Sequence, residues 1–80
     1  MKKEELLDEL REYHDWSAKL KAERRRQAEE YEKKAMMAED EDWADFYDSC
    51  ASYMRTIENA ASRIAEDLDA LMSRIERREE

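Results

Sequence analysis

The segment WADFYDSCASYMRTIENAASRIAEDLDALMSRI, residues 43–75, repeats its apolar residues with a helical period. Trp43, Tyr47, Cys50, Met54, Ile57, Ala61, Ile64, Leu68, Leu71 and Ile75 follow one another in alternating steps of four and three. Ten consecutive seam positions without a charge are the pattern of a long helix that buries one stripe against a neighbour. Ala44, Phe46, Ala51, Tyr53, Ala60, Ala65 and Met72 flank that stripe. The predicted apolar face is therefore wider than a two-stranded seam and suits a bundle.

Working back toward the N-terminus, Leu6, Leu10, Tyr13, Ser17 and Leu20 form a second stripe, with Leu7 and Trp16 beside it. It passes Arg24 and resumes at Ala28, Tyr31, Ala35 and Ala38, which reads as a stutter within one helix. Continuing that phase would put core positions at Asp42, Asp45 and Ser49. The apolar residues instead come one place later, at Trp43, Tyr47 and Cys50. A slip of one residue rotates the stripe by about 100°. The slip falls in Glu39-Asp40-Glu41-Asp42, where an Asp can cap a new helix and acids suit its positive end. The expectation is an all-α fold of one domain, residues 1–80. It is a long antiparallel hairpin of two helices with a turn near 38–42, each helix about 50–55 Å long.

Composition agrees. The 80 residues contain no Gly and no Pro, the two residues that most readily interrupt a helix, and 48% of them are charged. Disorder is the competing reading of so charged a chain, and the regular apolar spacing argues against it. No apolar run approaches the length needed to span a membrane, and acids near the N-terminus stand where a secretory signal needs apolar residues. One cysteine excludes an internal disulfide and fits a reducing compartment, so a cytoplasmic location is expected. A lone hairpin would leave one side of the Trp43–Ile64 face in water. The economical cover is a second copy, and a homodimeric four-helix bundle is expected.

The net charge of −8 is unevenly placed. Residues 1–38 hold ten acids and ten bases, whereas residues 39–80 hold thirteen acids and five bases. Three surfaces are candidates for contact. An acidic surface gathers Glu39, Asp40, Glu41, Asp42, Asp45 and Asp48; beyond serving the helix start, it could imitate a phosphate backbone, as an inhibitor of a nucleic-acid-binding protein would. An apolar oligomer or partner face comprises Trp43, Phe46, Tyr47, Cys50, Tyr53, Met54, Ile57 and Ile64. A basic belt of Lys19, Lys21, Arg24, Arg25, Arg26, Arg55 and Arg63 forms if the chain folds at residue 40, and clustered Arg suits an anion or RNA. An unidentified protein partner is favoured over nucleic acid, and no membrane contact is expected. A small polar stripe of Ser49, Ser52, Thr56, Asn59 and Ser62 marks the outward side of the second helix.

No catalytic pattern is complete in the sequence. Glu41-Asp42-x-x-Asp45 with Glu66-x-x-Asp69 resembles the acidic metal motifs of MazG-like nucleotide pyrophosphohydrolases, which would imply a Mg²⁺ site. On one helix Asp45 and Glu66 stand about 30 Å apart, and Mg²⁺ needs converging carboxylates. His14, the only histidine, has Arg11 three residues before it, so an inward Glu-x-x-His di-iron motif is missing. Cys50 reads as a small core residue. The expectation is a non-enzymatic protein with no catalytic residues, no cofactor and no metal, acting by protein–protein association.

Overall fold

The computed structural model describes residues 2–78 and consists of two helices, α1 (Lys3–Met37) and α2 (Glu41–Arg77), packed antiparallel. The rod measures 62 × 14 × 14 Å. The turn lies at residues 38–40, within the expected interval. It is made without any positive φ among the described residues, which is why the absence of glycine does not prevent it. Ala38 (φ −70°, ψ 129°) and Asp40 (φ −92°, ψ 128°) are extended and carry the chain sideways between the helices. The Asp40 carboxylate accepts the Asp42 N–H at 2.8 Å, and the Asp40 carbonyl accepts the Ala44 N–H at 3.0 Å. Asp40 is thus the N-cap of α2, and Glu41 and Asp42 lie in its positively polarised first turn.

At the opposite end Lys3 crosses from α1 to terminate α2. Its ammonium donates to the carbonyls of Glu76 (2.9 Å) and Arg78 (3.0 Å), placing a cation on the negative end of the helix. Beside it Leu7, Met72 and Ile75 form the buried core, with Leu6, Leu10, Leu68 and Leu71 partly buried against them. Toward mid-length the packed residues become small. Ser17, Ala28 and Ala61 are completely buried and Ala51 nearly so, which lets the two backbones approach. The Ser17 hydroxyl is satisfied by donating to the His14 carbonyl at 2.8 Å.

The register of the stripes differs from the sequence expectation. Along α2 the residues turned to α1 are Ala44, Tyr47, Ala51, Met54, Glu58, Ala61, Ala65, Leu68, Met72 and Ile75, all buried or half-buried. Half of the expected seam is retained. At the other five positions the next neighbours face α1 more directly: Trp43 and Ile64 stay 55% and 41% exposed, while Cys50, Ile57 and Leu71 are half-buried at the edge of the seam, Leu71 against the core. On α1 the packed residues are Lys3, Leu7, Leu10, His14, Ser17, Lys21, Arg24, Ala28, Tyr31, Ala35 and Ala38. These keep one unbroken heptad, so no stutter is needed. Lys21 and Arg24 occupy seam positions and are half-buried there; the Arg24 Nε is buried without a hydrogen-bond partner, while its Nη1 reaches Glu23 and Gln27. Tyr13, assigned to the seam from sequence, is 57% exposed.

Candidate partner interface

The hairpin has two unlike broad sides, and its ion pairs show which is which. Arg11 reaches Glu76 (3.8 Å), His14 Nε2 lies 3.1 Å from the Asp69 carboxylate, Arg25 holds Glu58 (2.7 Å), and Arg55 holds Glu32 (2.9 Å). Each pair joins the helices along the same flank of the seam, stepping in opposite directions as an antiparallel register requires. In such a pair equivalent flanks of the two heptads share one side of the hairpin. The other flanks, which carry Leu6, Tyr13 and Leu20 on α1 and Trp43, Cys50, Ile57, Ile64 and Leu71 on α2, therefore share the opposite side. The charged residues link the helices on one side; on the other the apolar residues range from half-buried (Leu6, Leu20, Cys50, Ile57, Leu71) to exposed (Tyr13, Trp43, Ile64).

At the centre of the charged side is a four-membered network. Glu58, only 5% exposed, accepts from Arg25 Nε at 2.7 Å and from Arg55 Nη1 at 2.9 Å. Arg55 in turn grips both oxygens of Glu32, at 2.9 and 3.3 Å. Hydrogen bonds from Arg25 and then Arg55 hold the Glu58 carboxyl below the ordinary carboxylate range, against the opposing effect of burial. Glu32 and Glu58 likewise hold the Arg55 guanidinium protonated above its ordinary value. Arg24 donates to Glu23 and Gln27, and Arg26 to Glu30.

This pairing bears directly on the basic belt. Arg24, Arg25, Arg26 and Arg55 each have a carboxylate within salt-bridge distance, while Lys19, Lys21 and Arg63 have none among the described residues. Hence the belt presents far less uncompensated positive charge than its sequence suggests. The acidic surface is the reverse. Glu39, Asp40, Glu41, Asp42, Asp45 and Asp48 are all exposed, and none makes an ion pair among the described residues. Only Asp40 has a side-chain hydrogen bond there, as the helix cap.

The apolar face divides. Tyr47 and Met54 are half-buried in the seam with α1, and Tyr47 stacks on Tyr31 at 6.3 Å, with the Lys34 ammonium 5.5 and 5.7 Å from the two rings. Trp43, Phe46 and Tyr53 are 55%, 53% and 71% exposed, and Cys50 and Ile57 are half-buried beside them. Trp43 meets Phe46 edge to face at 5.7 Å, and Phe46 and Tyr47 stand 5.6 Å apart. Trp43 and Phe46, with Asp40 and Asp42, line a shallow hollow at the turn. A second hollow lies between Tyr13 and Trp16, both 57% exposed, which the sequence had assigned to the stripe of α1.

The acids of the motif at residues 41–45 and 66–69 are exposed along a single helix, and no three potential metal ligands converge among the described residues. No helix is long and apolar enough to cross a membrane. Compared with protein-family models, with curated proteins and with solved structures, the chain matches none of them.

Proposed function

We propose that this protein is a non-enzymatic association module that binds a protein surface through the outer face of α2. One observation carries the reading. Trp43, Phe46, Cys50, Tyr53, Ile57, Ala60 and Ile64 form a second heptad on α2, uncharged at seven successive positions, beside the one already used against α1. Folding alone does not explain such a stripe, because the hairpin leaves its largest side chains more than half in water. Contiguous exposed apolar surface of this kind is what helix-mediated association uses. The single thiol suits a reducing, cytoplasmic setting.

The double variant Tyr53→Arg, Ile64→Arg tests the reading. It places two cations on the outer stripe and disturbs no residue of the seam with α1. Helicity should persist, with melting at dilution lowered only by the covered part of Ile64, while association, read by sedimentation and by native co-purification with the bound chain identified, is lost. Association unchanged in a folded variant would refute the reading.

An acidic inhibitor is the second reading, favoured by one observation: the turn carboxylates are free. Five of the six have no side-chain partner among the described residues, so their charge is available to a basic target. RNA binding through the belt is not carried forward, since most of its arginines are already matched by carboxylates.

A further inference from the structure

We propose that the outer face of α2 is covered by a second copy of this chain, stacked antiparallel so that each turn lies over the other copy's open end. The inference rests on the association reading above and names both the occupant and its orientation.

Geometry comes first. The outer heptad of α2 is turned about 100° from the inner one, close to the right angle at which a helix in a four-helix bundle contacts its two neighbours. The stripe is also self-complementary when reversed. With a two-fold axis between Ile57 and Ala60, near the middle of α2, Ile57 meets Ala60 of the partner copy. Tyr53 then meets Ile64 and Phe46 meets Leu71, while Cys50 falls opposite Asp67, the one acid within the stripe, and Trp43 beside Arg74, a pairing suited to a cation–π contact. An axis at mid-helix gives the two rods full overlap. One broad side of a rod 62 Å by 14 Å presents on the order of 800 Å² per copy, the area per partner of a standard stable interface.

Charge then selects the orientation. Residues 33–48, at the turn, carry six acids against Lys33 and Lys34. Residues 2–11 and 69–78, at the open end, carry six bases against six acids. Parallel stacking would set two acidic turns side by side, with none of the six carboxylates on either turn neutralised by an ion pair among the described residues. Antiparallel stacking sets each turn against an end of more nearly matched charge, six bases including Arg74, Arg77 and Arg78 against eight acids once Glu79 and Glu80 are counted. Like charges brought together oppose the first arrangement more strongly than the second.

Spin labels on Ser73→Cys and on Asn59→Cys, each in a Cys50→Ala background, test this in the full chain. Both sites are exposed and lie away from the two seams. At 1.5 Å per residue, antiparallel copies hold the Ser73 labels about 45–50 Å apart and the Asn59 labels within about 30 Å. Light scattering should give twice the 9.7 kDa chain mass. Similar short distances at both sites would show parallel stacking and overturn the proposal. A single-chain mass without dipolar coupling would also overturn it, while leaving association with a different protein intact. A dimer that survives Tyr53→Arg, Ile64→Arg would overturn this proposal and the association reading together.

Discussion

Truncating two isoleucines of α2 separates the face that folds the hairpin from the face that remains open. Ile75 is 5% exposed and packs with Leu7 and Met72, whereas Ile64 is 41% exposed. Ile→Ala removes three carbons in either case, at about 0.8 kcal/mol for each one fully buried. At Ile75 that transfer loss is nearly complete and a cavity adds to it, giving about 3 kcal/mol. At Ile64 water fills the vacated space and only the covered part counts, giving about 1.5 kcal/mol. Alanine's higher helix propensity returns a few tenths of a kcal/mol at both sites. The expected losses are therefore about 2.5 and about 1 kcal/mol, and in a domain of this size each kcal/mol moves Tm by roughly 4–8 °C. Far-ultraviolet circular dichroism, melted at a dilute and a high protein concentration, reads both. At dilution Ile75→Ala should lose far more. At high concentration the deficit of Ile64→Ala should grow, because association stabilises the parent and not the variant, while that of Ile75→Ala stays fixed. Equal losses at dilution would refute the assignment of the two faces.

The turn acids and the buried glutamate give two more tests. Asp40→Ala removes the helix cap and should cost about 1 kcal/mol in urea unfolding, whereas changing Asp42, Asp45 and Asp48 together to Asn should cost much less. If the triple variant keeps its affinity for a basic target, the inhibitor reading is excluded at this site. Glu58 titrates lower in the folded chain than the ordinary carboxylate value of 4.5. Its contribution is therefore complete above that pH and fades as pH falls through the lower folded value. Glu58→Gln should flatten the acid limb of a plot of urea midpoint against pH; parallel limbs in parent and variant would show that the Arg25 and Arg55 contacts do not matter to stability.

Both helices and the turn were legible because periodicity and the absence of helix breakers act locally. The choice between two heptads on α2 was not. They share Tyr47, Met54, Ala61, Leu68 and Ile75, and differ in using Trp43, Cys50, Ile57, Ile64 and Leu71 or the residues just after them. Apolar content favours the first set, and the structure packs the second against α1. What decides is the partner helix: Ser17 and Ala28 admit close approach, and Arg25 offers a cation opposite Glu58. The signal was present as a pattern of small residues in both halves and a glutamate facing an arginine run. Reading it requires aligning the halves antiparallel before choosing either stripe. His14 is half-buried in the seam of α1, and its partner Asp69 belongs to the other helix, so no local pattern points to the pair.

The inner seam is the less apolar of the two available to α2, and that is informative about why the hairpin is built this way. A glutamate and several alanines make a weak hydrophobic surface, but Glu58 with two arginines fixes how the helices align, since sliding by one turn would strand a buried carboxylate. Bulky residues at those positions would hold α1 farther away. Orientation within the hairpin is thus specified by small and charged groups, while Trp43, Phe46, Tyr53, Ile57 and Ile64 remain on the other flank. Were the chain selected only to fold as a solitary rod, polar residues on that flank would serve better, because exposed aromatics add solubility risk without stabilising the hairpin. The division of α2 into a specifying seam and an adhesive one follows if the hairpin is half of an assembly: the first sets the shape of the surface that the second uses to bind.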